Sequence, residues 1–243
     1  MAGVPAHTAA QLTSLTMEYT DAFSDMADIL RTAVGASPLL QHLYLPSHFA
    51  SLNTLGLLAL PVPHLVTFSG PFCVALGIAL AEPPALTHFA ITVQSIPSTA
   101  DALFLIDHIR STSLINIALL LKHWDDQVFS RIAEVSPRCE EVGIVCEGGC
   151  GPSQTFLSSL GLHLQRLASL RAVHIYPKVA VPRGKSGSGI ASADPRAFAE
   201  VWGLSSPQLR RVKLSSSVAW ARRWENGPWD RYTLKEVDER HFV

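Results

Sequence analysis

P-Q-L-R-R-V-K-L, residues 207–214, carries apolar side chains at Leu209, Val212 and Leu214, and the same spacing returns along the chain as far back as its first twenty residues. The earlier returns are Leu12/Leu15/Met17, Leu40/Leu43/Leu45, Leu65/Phe68/Gly70, Leu86/Phe89/Ile91, Leu114/Ile117/Leu119, Cys139/Val142/Ile144 and Leu170/Val173/Ile175, which makes eight copies in all. Their first residues stand 28, 25, 21, 28, 25, 31 and 39 residues apart, and five of the eight have a proline one to three residues ahead. L-x-x-L-x-L recurring about every 20 to 30 residues is the leucine-rich-repeat signature. One match arises by chance in a leucine-rich chain, whereas eight in one register carry weight.

Between these returns the periodicity is helical. Asp21 to Val34 puts Phe23, Met26, Ala27, Leu30 and Val34 on one face, and Ala100 to Arg110 does so with Leu103, Ile106 and Ile109. Asp125 to Val135 and Ser153 to Leu167 repeat the arrangement, and Asp194-Pro195 reads as an N-cap followed by proline at the first helical position. Strand, then helix, then strand is the expected order throughout. Strands separated by helices pair in parallel through crossovers. The expected fold is therefore α/β: a leucine-rich-repeat solenoid over the whole chain, 1–243, with a curved parallel sheet inside and helices on the convex side. Repeats fill about residues 7–218; residues 219–243 form a C-terminal cap and tail, in which Trp220, Trp224 and Trp229 cover the last repeat and Leu234 to Phe242 form a short helix. The Gly/Ser-rich run 179–193 reads as a surface loop.

Composition narrows the class. At 243 residues, 48% hydrophobic and 16% charged, the chain is long enough to bury a sizeable core and too poor in charge for disorder over most of its length. A net charge of −1 gives no overall attraction to nucleic acid or membrane. The N-terminus has no basic residue ahead of an apolar run, and apolar stretches such as Leu55 to Leu60 fall short of a membrane span, so the expected setting is intracellular, cytoplasmic or nuclear.

Four cysteines make no disulfide framework in a chain of this length; Cys139 occupies a repeat anchor and Cys73 an apolar run, both core positions. Cys150, in E-G-G-C-G-P-S between a strand and a helix, is the candidate nucleophile, with His174 of the next repeat as a possible base, and a cysteine-dependent hydrolase or transferase is the alternative reading. The plainer account is a tight strand-to-helix turn. Cys146 with Cys150 lacks the ligand turn of a zinc site, and His42 and His88, two strands apart, are expected roughly 10 Å from each other, too far for one ion. R-G-K-S at 183–186 lacks the first glycine of a phosphate-binding loop, since Val179 stands there. No cofactor is expected.

The repeats S-P-L-L-Q-H-L-Y-L, P-P-A-L-T-H-F-A-I, S-P-R-C-E-E-V-G-I and S-P-Q-L-R-R-V-K-L, with a tryptophan-rich tail, resemble the leucine-rich-repeat region of fungal F-box proteins over about residues 7–230. In that family the repeats recognise a substrate for a cullin-RING ubiquitin ligase, and a separate F-box docks the adaptor. No L-P-x-E-type segment precedes Leu12, so binding by the repeat surface is what the resemblance implies here, and adaptor docking is not carried over. The usual asparagine ladder, eight residues after each anchor, is also missing: Thr20, His48, Cys73, Gln94, Lys122, Glu147, Lys178 and Ser217 stand there.

Strand alternation turns the residues beside the second anchor toward the concave side. The expected protein-binding residues are His42, Tyr44, Thr67, His88, Asn116, Glu141, His174, Arg211 and Lys213. Ala118 and Gly143 leave room between them, and Arg211 with Lys213 make the last strand basic. A protein or peptide partner is expected along this face, with its acidic residues toward Arg211; nucleic acid and membrane are not expected.

Overall fold

The computed structural model describes residues 12–17, 26–45, 59–81, 85–92, 95–109, 113–148, 151–178, 194–216 and 218–233. They form one open sheet of ten strands in sequence order. The first eight are β1 (Ser14–Thr16), β2 (His42–Tyr44), β3 (Thr67–Gly70), β4 (His88–Ile91), β5 (Asn116–Leu121), β6 (Glu141–Cys146), β7 (Ala172–Pro177) and β8 (Arg211–Lys213), one for each sequence repeat. All eight are parallel. β9 (Val218–Ala221) and β10 (Asp230–Thr233) add antiparallel at the C-terminal edge.

The repeat pattern becomes structure through a turn. Ser37, Val62, Ser136 and Ser206 each accept, through the carbonyl, the N–H of the anchor three residues on, namely Leu40, Leu65, Cys139 and Leu209, at 2.9 to 3.1 Å. Proline occupies the second position of each of these turns, where its fixed φ suits a β-turn and its missing N–H costs nothing. The anchor that follows drops into the core: Leu40, Leu65, Leu86, Leu114, Cys139, Leu170 and Leu209 are all buried. Entry to the sheet is equally regular. At the start of each strand from β2 to β8, two consecutive N–H groups donate to the carbonyl of the residue just before the previous strand, as Arg210 and Arg211 do to Arg171.

Six helices are seen among the described residues: α1 (Met26–Gly35), α2 (Phe72–Leu80), α3 (Thr99–His108), α4 (Asp126–Val135), α5 (Gln154–Leu164) and α6 (Pro195–Ser205). From α2 onward each packs on the next. Ser98, Asp125, Ser153 and Asp194 cap the last four through their side-chain oxygens. The apolar stripes of these helices and the inward strand residues, such as Phe68, Phe89, Ile117, Val142, Val173 and Val212, share one core.

Two features refine the expected pattern. α2 stands where the strand–helix–strand order expects a helix but shows no helical period: F-C-V-A-L-G-I-A-L is buried on nearly all sides, so it has no polar face to create one. Between β2 and β3, residues 59–66 contain no helix, and 46–58 lie outside the described residues. The tail contains the β9–β10 hairpin, whose turn includes Asn226 at φ 58, a left-handed conformation that asparagine tolerates. Trp229 is buried there and Trp220 packs partly on the core, while Trp224 stays 58% exposed. The loop 179–193 and the helix expected at 234–242 fall outside the described residues.

Arg222 locks this end. Its guanidinium donates to the carbonyls of Leu209, Gly203, Ser206 and Pro207 at 2.7, 3.1, 3.3 and 3.0 Å and lies 5.0 Å from the Trp229 ring centroid. These carbonyls belong to the end of α6 and the turn after it, where helical partners run out. Gly203 makes room, since a Cβ there would come within 2.9 Å of Trp229 and 3.1 Å of Arg222.

Candidate functional site

Parallel pairing without slippage stacks the outward positions into columns across the sheet. The first holds Ser14, His42, Thr67, His88, Asn116, Glu141, Ala172 and Arg211. The second holds Thr16, Tyr44, Ser69, Ala90, Ala118, Gly143, His174 and Lys213. Where β5, β6 and β7 run to six residues, a third column appears: Leu120, Val145 and Tyr176.

Over β3 to β7 these columns line a groove of about 450 Å³. Thr67, His88, Asn116, Glu141 and His174, five of the nine residues expected to bind a partner, lie on it. Ser69, Ala90, Ala118 and Gly143 are its small-residue floor, and Leu120, Val145 and Tyr176 its apolar side. That apolar side escaped the sequence reading because L-x-x-L-x-L stops at the third anchor; continued alternation through N-I-A-L-L-L, E-V-G-I-V-C and A-V-H-I-Y-P was the available signal.

The other four expected residues lie apart from the groove lining. His42 and Tyr44 are half-buried on β2, next to β3. Arg211 lies beyond β7 and is 47% exposed. Lys213 departs from expectation: it is only 1% exposed, with its ammonium 4.2 Å from the centroid of the Tyr176 ring. It therefore does not present a basic group to solvent beside Arg211, because the register that carries it outward also sets it against the large Tyr176 side chain.

Charge concentrates at the β6–β8 end. His174, 6% exposed, has its Nε2 2.9 Å from Glu141 Oε1, and Arg211 approaches Glu141 Oε2 at 3.4 Å. Burial pushes the His174 pKa down, and Arg211 and Lys213 push the same way; the hydrogen bond and charge of Glu141 oppose them without prevailing. For Glu141 burial is the largest single influence and raises the pKa, but the His174 hydrogen bond with the charges of His174, Arg211 and His88 outweighs it, leaving the pKa below the usual carboxylate range. At neutral pH the pair is a neutral imidazole beside a carboxylate. Lys178, also on the groove, lies 3.7 Å from Glu147, which accepts from Ser95 at 2.6 Å.

Cys150 and Gly149 lie outside the described residues, and His174, its suggested base, has its Nε2 on Glu141. Cys139 is buried, its Sγ lies 3.1 Å from the carbonyl of Ile115 and 3.2 Å from that of Glu141, and its pKa is pushed up to about 12 by burial. Thr67 stands between His42 and His88 in register. Among the described residues there is no cluster of three or more His, Cys, Asp or Glu side chains placed to hold a metal, and no helix long and apolar enough to cross a membrane. No family model, curated protein or solved structure matches the chain.

Proposed function

We propose that this chain is a non-enzymatic protein-interaction module: a leucine-rich-repeat solenoid whose outward sheet face, on the concave side, receives a protein or peptide partner. The observation that carries the reading is the groove of about 450 Å³ over β3 to β7, built from residues of five successive repeats in one register. A packed sheet face needs no such opening, and a volume of this size falls in the range of binding sites. The resemblance to F-box repeats extends the proposal to substrate recognition for a cullin-RING ubiquitin ligase in an intracellular setting.

Affinity capture with the full chain tests the reading when wild type is compared with Tyr44→Ala, His174→Ala and Arg211→Glu. A partner retained by wild type and depleted by these variants is the expected result. If all three retain it while Leu162→Glu on the outer surface of α5 abolishes capture, the sheet face is not the binding surface.

A further inference from the structure

We propose that His174 and Lys213 form an acid-operated latch: protonation of the buried imidazole drives the Lys213 ammonium off the Tyr176 ring and into solvent while the fold stays intact. The latch lies on the outward sheet face but needs no partner to work, so it goes beyond the reading of that face as a binding surface.

The geometry is a row across three strands. Gly143, His174 and Lys213 lie side by side in register on β6, β7 and β8, with about 4.8 Å from strand to strand. His174 is 6% exposed and Lys213 1%, and the Lys213 ammonium lies 4.2 Å from the centroid of the Tyr176 ring. Tyr176 follows His174 by two positions on β7 and so shares its face.

The charged and titratable groups around the imidazole come from the strands. β6 supplies Glu141, whose Oε1 is 2.9 Å from Nε2, and β8 supplies Lys213 together with Arg211, which is 3.4 Å from the other Glu141 oxygen. β7 itself supplies Tyr176, and His88 of β4 acts through the charge of Glu141. On β9 the register partner of Lys213 is Ala219, and Lys178, past the end of β7, is matched by Glu147 at 3.7 Å. Among the described residues, neutral His174 thus sits with one carboxylate and two cations.

Protonation sets three cations against that carboxylate. Two of them, His174 and Lys213, are buried neighbours in one row, where water and salt screen little. His174 is short and fixed by its strand, and Arg211 is already 47% exposed. Lys213 has a four-carbon stem that keeps its packing while its head reaches water, so it is the group that moves. Its departure bares the Tyr176 ring at the β7 end of the groove and adds a cation there. Burial and the two cations hold the His174 pKa below 6.5, so the latch is closed at neutral pH and opens on the acid side.

NMR of the full chain, carbon-labelled at histidine and lysine, tests this from about pH 8 to about pH 5. At neutral pH the Lys213 ε-methylene signals are expected upfield of the other lysines because of the Tyr176 ring, and Lys213→Met identifies them by their loss. The expected result is that the upfield shift disappears with the same midpoint as the His174 Cε1 titration, below 6.5, while far-UV circular dichroism is unchanged. His174→Gln should keep the upfield shift throughout, and His174→Asn replaces it if that variant does not fold. Glu141→Gln should move the midpoint further toward acid, since it removes the opposing charge. Lys213 signals that stay in place while His174 titrates overturn the inference. So does a His174 that stays neutral over the whole range, or a Lys213 change seen only together with loss of the circular-dichroism signal.

Discussion

Replacing Arg222 with methionine keeps most of the side-chain volume and removes four hydrogen bonds, to Leu209, Gly203, Ser206 and Pro207, and the cation over Trp229. A net value of about 1 kcal/mol per hydrogen bond gives about 4 kcal/mol, and a partly desolvated cation–π contact adds about 1 kcal/mol. The desolvation that the buried guanidinium no longer suffers offsets part of this, so the expected loss is about 3 to 5 kcal/mol. Against a total stability of about 5 to 15 kcal/mol, that is a large fraction. Urea unfolding followed by far-UV circular dichroism should show a lower midpoint, and hydrogen exchange should accelerate at the amides of β8 and β9. Arg222→Lys keeps the charge but lacks the planar fork, and should recover less than half of the loss. An Arg222→Met variant within about 1 kcal/mol of wild type and with unchanged exchange in β8 and β9 would refute the reasoning.

Leu170→Ala and Leu214→Ala should each cost about 2 to 5 kcal/mol in denaturant melts, since both side chains are buried, whereas Leu204→Ala on the exposed side of α6 should be nearly silent. Gly70→Ala should destabilise by about 1 to 3 kcal/mol, because its Cβ would meet the Phe68 ring at 3.0 Å and Leu45 at 3.1 Å. Gly143→Ala, by contrast, should leave the melting temperature unchanged or raise it, as a glycine within a strand is a weak choice when the added methyl fits. The depressed His174 pKa means the unfolded chain binds a proton that the folded chain refuses, so stability should fall as pH drops from the ordinary value of 6.5 toward the folded pKa. Glu141, also depressed, should extend the fall below its ordinary 4.5. Melting temperatures against pH should show His174→Gln with a flatter profile in the upper part of that window.

The chain of local signals from proline turn to anchor to alternating strand is carried by neighbouring residues, and for that reason it was legible. S-P-x-L fixes the turn through the φ of proline, the anchor follows by burial, and eight repetitions of one unit specify eight parallel strands in order. Alternation likewise sorts inward from outward residues, and so places Thr67, His88, Asn116, Glu141 and His174 on one face. α2 and the β9–β10 hairpin were not legible. A helix covered on all sides has no amphipathic period, and W-A-R-R-W-E-N-G-P-W-D becomes a hairpin only because Arg222 and Trp229 find the carbonyls and the space at the end of α6. Lys213 shows the same limit within the candidate site. Its outward direction follows from the period of two, but its burial depends on Tyr176 of the neighbouring strand, 37 residues earlier in the chain. The sequence alone determined repeat, register and facing, because those depend on contacts within one unit. The groove, the His174–Glu141–Arg211 cluster and the closed C-terminal edge were decided by the tertiary structure, because each is made of side chains from different repeats that meet only when the sheet has formed.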